Sequence, residues 1–176
     1  MKKIIPFICI FILIPPLFSC AKLPDANGAL SSLNEPYTCE IAVNDGDGIY
    51  TASVTRTAAG ELTLRLAEPA LLCGVEYVCG DGGISVVYNE LKIPLGDYSN
   101  GKISRGVTAW RGMLTPDGEN ARVSSDGKGR YTVTSGEVEY RFDMETNAPV
   151  LIKNGDITIT ITNFRREIDK SSEGAG

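Results

Sequence analysis

The stretch 156–164 has the sequence Asp156-Ile157-Thr158-Ile159-Thr160-Ile161-Thr162-Asn163-Phe164. Isoleucine occupies every second position, and threonine occupies the positions between. Successive side chains of a strand point to opposite faces of a sheet, so this alternation predicts a strand with one buried face and one wet face. The apolar face needs a partner, which places the strand in a sheet packed on a core.

The same alternation recurs along the chain. The leucines of 61–68 and the apolar residues of 137–145 share one face of their strands, and they are Leu62, Leu64, Leu66, Val138, Tyr140, Phe142 and Met144. Less regular strands are predicted at 37–43, 49–57, 75–79, 84–95, 121–124, 130–135 and 150–153. Short Gly-, Asn- and Asp-rich links join them, and Asn154-Gly155 is the strongest hairpin signal. Such links favour an antiparallel meander.

One segment has a helical period instead. Its apolar residues are spaced by four, three and four, which predicts a helix at about 102–114, and they are Ile103, Val107, Trp110 and Leu114. A second, short helix is predicted at 26–33. The predicted fold class is therefore mainly β (α+β). It is a strongly curved antiparallel sheet or half-barrel of about 8–10 strands, with the 102–114 helix against its concave apolar face.

The first twenty residues indicate export. Two lysines precede an uncharged apolar run at 4–18, as in a signal peptide. The run ends Leu17-Phe18-Ser19-Cys20, which resembles the bacterial lipobox, although Phe18 is larger than the residue usual there. The resemblance implies diacylglycerol on Cys20 and an extracytoplasmic protein held to a membrane by its N-terminus. An ordinary secretory signal and an uncleaved anchor are the alternatives.

These boundaries divide the chain into four parts. We predict a signal peptide at 1–19, a lipidated tether with the short helix at 20–34, a β-rich domain at 35–166 and a disordered tail at 167–176. Removal of the two lysines in 1–19 lowers the net charge from −5 to −7. An acidic domain is poorly suited to nucleic acid, whose phosphates bind Lys and Arg.

No catalytic, cofactor or metal-binding motif is present in the sequence. The chain has no histidine, which excludes Ser-His-Asp and Cys-His catalysis and removes the usual zinc ligand. The acidic turn at 44–48 fails as an EF-hand, because Arg56 or Thr55 stands where a bidentate glutamate is needed. We therefore predict a non-catalytic protein without cofactor or metal, and a solvated turn at 44–48.

Three cysteines remain in the predicted mature domain: Cys39, Cys73 and Cys79. Export would permit a disulfide, and spacing does not choose among the possible pairs. We favour three small buried hydrophobic residues, because a domain of this length does not need covalent staples.

The order of elements is similar to the lipoprotein-carrier (LolA-like) superfamily. The resemblance spans about 35–164 and depends on a leucine-rich strand that runs into Pro69, then on Tyr77 and on Val86-Val87-Tyr88. It implies binding of an acyl chain, or use of the fold as a sensor or interaction module. A tether on Cys20 would restrict shuttling, which favours local lipid handling or interaction over a mobile carrier.

Two functional hypotheses follow. In the first, an acyl chain or other apolar ligand lies in the concavity of the sheet against Leu62, Leu64, Leu66, Tyr77, Tyr88, Trp110, Tyr140 and Phe142. In the second, these residues fill a dry core, and an envelope interaction or structural protein acts through its acidic convex face or an edge strand. The membrane, through Cys20, is the predicted partner in both; no protein partner is specified.

Overall fold

The computed structural model describes residues 24–95, 102–116, 118 and 120–167. Within this range, eleven strands form a single antiparallel sheet. The predicted signal peptide, the lipobox with Cys20 and the predicted tail from 168 onward lie outside the described residues.

The helices are α1 (Ala26–Ser31) and α2 (Lys102–Leu114), and a 3-10 turn spans Ala70–Leu72. The strands of the first half are β1 (Tyr37–Asn44), β2 (Ile49–Arg56), β3 (Leu62–Glu68), β4 (Glu76–Gly80), β5 (Gly83–Tyr88) and β6 (Leu91–Pro94). Those of the second half are β7 (Arg122–Ser125), β8 (Arg130–Ser135), β9 (Val138–Asp143), β10 (Pro149–Asn154) and β11 (Ile157–Arg166).

The strand order is β6-β5-β4-β3-β2-β1-β11-β10-β9-β8-β7. Each half of the chain is a meander, as predicted, and the two meanders meet where β1 pairs with β11. The first and last strands therefore lie side by side at the centre, with Ile41 opposite Ile161. Since β6 and β7 are the opposite edges, the chain between them, which includes α2, passes from one side of the sheet to the other.

The predicted strand at 84–95 is two strands, which raises the number of strands from the predicted 8–10 to eleven. Asn89 and Glu90 turn the chain with φ of 48° and 69°, and Tyr88 pairs with Leu91 across them. Two residues with positive φ are typical of a tight hairpin turn, in which Asn and Gly are favoured. Glutamate at the second position gives no such signal, so the sequence pattern did not reveal the turn.

Alternation places the core on one face of the sheet, and α2 closes that concave face as predicted. The helix buries Val107, Trp110, Met113 and Leu114. The indole of Trp110 packs on Tyr50 of β2, with ring centroids 5.3 Å apart.

The short helix α1 is part of the packed domain. Asp25 caps it by accepting a hydrogen bond from the Gly28 amide at 3.4 Å. Leu30 and Leu33 are fully buried in the same core as α2. Of the stretch predicted as tether and helix, the part from Ala26 onward is therefore fixed to the sheet.

Candidate ligand-binding surface

Seven of the eight residues predicted to contact ligand lie in the core. Their side chains are at most 5% exposed, and they are Leu62, Leu64, Leu66, Tyr77, Trp110, Tyr140 and Phe142. The structure brings them into one cluster with other apolar residues. Rings fill this interior closely; for example, Phe142 stacks on Tyr131 at 5.1 Å and 10°. These side chains therefore fill the space between the sheet and the helices.

The eighth residue, Tyr88, lies apart from the core and is 50% exposed. It stands opposite Leu91 across the β5–β6 hairpin, and Val86 stands opposite Ile93. Side chains directly opposite in a sheet share a face, so Leu91 and Ile93 lie on the same concave face as Tyr88. They are 62% and 48% exposed. We name Tyr88, Leu91, Ile93 and the half-buried Ile84 and Val86 the open apolar surface.

The open apolar surface is continuous with the core. One row of paired residues crosses four strands, in the order Leu64, Tyr77, Val86 and Ile93. The row begins fully buried, is half-buried at Val86 and ends about half in water. The side chains of the concave face therefore become more exposed to solvent from β3 toward β6.

Sequence reasoning missed Leu91 and Ile93 because 84–95 was taken as one strand. In a single strand Leu91 and Ile93 would lie on the opposite face from Tyr88, whereas the hairpin brings them onto the same face. The alternation in Leu91-Lys92-Ile93 was the available signal, and it marks a strand with one apolar face.

The surface depressions of the described residues include three that bear on the predicted contacts. Two are on the convex face over β11, β1 and β2; their volumes are about 450 and 360 Å³, and both are lined by Glu40 and Ser53. The residues that line the larger one include the small Ala42 and also Leu66. The third, of about 400 Å³, lies beyond the C-terminal part of α2 against Tyr140. Among the predicted contact residues, only Leu66 and Tyr140 line these three depressions.

The three described cysteines are free thiols. Cys39 and Cys79 are buried, as favoured from the sequence, whereas that prediction is wrong for Cys73, which is exposed. Cys73 follows the 3-10 turn in the surface link between β3 and β4, where no second layer covers it. Burial raises the pKa of Cys79 to about 11 and that of Cys39 to about 12. Both stay protonated and unreactive at neutral pH.

The acidic turn at 44–48 uses its side chains to hold its own backbone. Asn44 accepts from the Gly46 amide at 3.0 Å, and Asp45 accepts from the Asp47 and Gly48 amides, each at 3.1 Å. This is the arrangement of an Asx-rich hairpin turn. Within the described ranges, no three His, Cys, Asp or Glu side chains are grouped to hold a metal. No helix in the same ranges is long and apolar enough to cross a membrane.

No protein-family model matches the chain, and no curated protein is significantly similar to it. Among solved structures, an uncharacterized conserved protein from Thermus thermophilus is similar, with a TM-score of 0.51 and 11% identity. The match covers 81% of this chain and 87% of that one. The two proteins share a fold.

Two further solved structures are found by the same comparison. A LolA superfamily protein from Nitrosomonas europaea has a TM-score of 0.40 and 9% identity over 83% of this chain and 95% of its own. MucB, in a complex with MucA(peri), has a TM-score of 0.45 and 14% identity over 86% of this chain and 60% of its own. The predicted fold class is confirmed by the curved antiparallel sheet itself. Membership of the LolA-like superfamily stays a prediction.

Proposed function

We propose that this protein is a non-catalytic binding module of the cell envelope, anchored by lipid on Cys20, that takes an acyl chain or other apolar ligand on the open apolar surface. The observation that carries the proposal is the row from Leu64 to Ile93, which extends the core into solvent. Adjoining exposed apolar side chains on a folded protein mark binding sites more often than single ones do.

The free energy gained by covering these apolar side chains limits which ligands can bind. Full burial of a Leu or Ile side chain contributes about 1.5–3 kcal/mol. Tyr88, Leu91 and Ile93 are each about half exposed, so covering all three contributes about 3 kcal/mol. A dissociation constant of 1 mM already needs about 4 kcal/mol. A ligand must therefore also cover the half-buried Val86 and Ile84, as an extended chain lying along the hairpin would.

The proposed position of the ligand, on the open apolar surface, differs from the position expected from the sequence, among the residues that form the core. An acyl chain beneath α2 would have to displace Trp110 from Tyr50, whose rings are in contact. Packed interiors resist such insertion because every displaced contact is lost. A chain on the open apolar surface displaces only water.

A fluorescent fatty acid tests this site. The chain without residues 1–20, which retains every described element, is titrated with dansyl-undecanoic acid. We expect saturable binding, and we expect Ile93→Ser and Leu91→Ser to weaken it about fivefold, since each removes about 1 kcal/mol of apolar contact.

Ile49→Ser is the matched control. Ile49 is 67% exposed but begins β2, away from the β5–β6 hairpin. Binding by the Ile49→Ser variant should equal that of the parent protein. Absence of saturable binding, or equal weakening by all three substitutions, would contradict the proposal.

The anchor needs its own experiment. Cells that express the full chain are grown with a palmitate analogue, and the protein is isolated and examined for label. Cys20→Ala should abolish both the label and retention at the membrane, whereas Cys73→Ala, which removes the exposed thiol, should change neither. Continued labelling of the Cys20→Ala protein would rule out the lipidated anchor.

The convex depressions favour a second candidate, in which the protein binds a protein partner. The larger and smaller depressions share Glu40 and Ser53 and so adjoin each other across β1 and β2. A photoreactive amino acid in place of Ser53 would capture protein if this candidate is right. The same group in place of Ile93 would capture lipid if the first proposal is right.

A further inference from the structure

The two edges of the sheet differ in whether another strand can join them. At β6, the hairpin pairs Tyr88 with Leu91 and Val86 with Ile93, and these pairs exchange hydrogen bonds within the sheet. The backbone groups of Lys92 and Pro94 therefore point to the open side. Pro94 has no N–H to donate, and Lys92 carries a charge. Proline and lysine are the residues with which natural sheets protect an edge.

At β7 neither a proline nor a covering strand protects the open side within the described part of the chain. The Asp126 amide donates to the Arg130 carbonyl at 3.2 Å, which sets the alternation of the β7–β8 ladder. Ser124 and Arg122 then exchange hydrogen bonds with Thr132 and Thr134 of β8. The N–H and C=O groups of Val123 and Ser125 point away from β8 and form a short row of donors and acceptors.

This edge is complementary to itself in the antiparallel direction. Strand β7 can be placed antiparallel to β7 of a second copy, about a two-fold axis at Ser124. Val123 of one copy then stands opposite Ser125 of the other. The two copies then exchange four backbone hydrogen bonds. On the convex face, Arg122 of each copy stands opposite Asp126 of the other, so both flanking pairs join opposite charges. Like charges are not brought together at any position of 122–126.

Asp126 is held in one position by the turn that follows β7. Its carboxylate oxygen Oδ1 accepts from the backbone amides of Lys128 at 2.7 Å and Arg130 at 3.2 Å. The side chain is thus held at the end of the strand by the turn, and less conformational entropy is lost when a guanidinium approaches it.

We propose that the protein forms a two-fold symmetric dimer in which β7 pairs antiparallel with β7 of a second copy, joining the two sheets into one. A two-fold interface uses the same patch on both subunits, which is what the self-complementary edge provides. The open apolar surface lies at the far edge, on β5 and β6, so the dimer leaves it uncovered.

A cysteine placed on the proposed axis tests the pairing in the full, exported chain. Facing residues in a non-hydrogen-bonded antiparallel pair have Cα atoms about 4.5 Å apart, within the range of a disulfide. In a Cys73→Ser background, which removes the exposed native thiol, Ser124→Cys should form a disulfide-linked band of twice the chain mass on a non-reducing gel.

Lys92→Cys is the matched control, since Lys92 is also an exposed, convex-facing residue of an edge strand. It should give little of this band. Adding Val123→Pro to Ser124→Cys removes an outward N–H and should abolish the cross-link, while Arg122→Asp should reduce it about tenfold by opposing two carboxylates. Protease resistance of each variant shows that it is folded.

Four outcomes would overturn the dimer. Two concern the variants: an equal cross-link from Lys92→Cys, and persistence of the cross-link in the folded Val123→Pro variant. The other two concern Ser124→Cys itself: an adduct whose mass is that of another protein, and the absence of any adduct. Fatty-acid binding is measured separately at the opposite edge, so either proposal can fail without the other.

Discussion

Truncation of Trp110 to alanine should be among the most destabilising single changes in this domain. The side chain is 2% exposed and joins α2 to the concave face through Tyr50. A buried aromatic side chain removes about 150–250 Å² from water, which at about 25 cal/mol/Å² amounts to about 4–6 kcal/mol. Measured Trp→Ala losses in cores are about 3–5 kcal/mol, because the site partly relaxes.

A second substitution separates the packing of the ring from the cost of its N–H. Trp110 Nε1 is buried and has no hydrogen-bond acceptor among the residues that the structure describes. An unpaired buried donor costs about 1–3 kcal/mol, which Trp110→Phe would remove while retaining much of the ring contact. We therefore expect Trp110→Phe to lose less than about 1.5 kcal/mol. Tyr88→Ala, at a half-exposed aromatic outside the core, should lose about 1 kcal/mol or less.

Equilibrium urea unfolding followed by far-ultraviolet circular dichroism measures these differences, since the two Trp110 variants lack the only tryptophan. A loss below about 1 kcal/mol for Trp110→Ala would refute the close packing of α2 on the sheet. Equal losses for the alanine and phenylalanine variants would refute the unpaired N–H, because they would mean that the N–H has a partner such as bound water or ligand.

Three further predictions concern the hairpin and the thiols. Glu90→Gly should raise the free energy of unfolding by about 1 kcal/mol in urea titrations, because Glu90 has a φ of 69° that glycine adopts without cost; destabilisation would contradict the turn. In the chain without residues 1–20, a thiol reagent should modify one cysteine, Cys73, while the protein is folded and three after unfolding, and modification of all three in the folded protein would contradict the burial of Cys39 and Cys79. The raised pKa values of these two buried thiols, about 12 and about 11 against an ordinary 9.0, mean that the unfolded state releases its protons first as pH rises. The contribution of these two thiols to stability should therefore be constant below about pH 9 and fall between about pH 9 and 12, with a smaller fall in Cys79→Ala.

Most of the fold could be predicted because alternation is a local signal. The strand that contains Ile157, Ile159 and Ile161 and the helix around Trp110 required only the spacing of apolar residues along a short stretch. The hairpin at 89–90 was not predicted because glutamate at positive φ is uncommon. The pairing of β1 with β11 was not predicted for a different reason. Hydrophobic patterning carries no information about which distant strands become neighbours.

The site was harder to predict than the fold. A buried tyrosine and an exposed one have the same place in an alternating pattern, so Tyr77 and Tyr88 were grouped together although only Tyr88 is open to solvent. Their difference depends on distance from α2 across the sheet, which is a tertiary property. The protected edge at Pro94 and the open edge at Val123 likewise became distinguishable only when the strand order placed both at the margins.

The central pairing of β1 with β11 determines how the domain would respond to force. Tyr37, where β1 begins, lies opposite Arg166, where β11 ends, and the Glu167 amide donates to the Pro36 carbonyl at 3.0 Å just beyond them. Tension between the N-terminal side and the C-terminal side of the domain would break the hydrogen bonds between β1 and β11 one after another. It would thereby separate the two halves of the sheet.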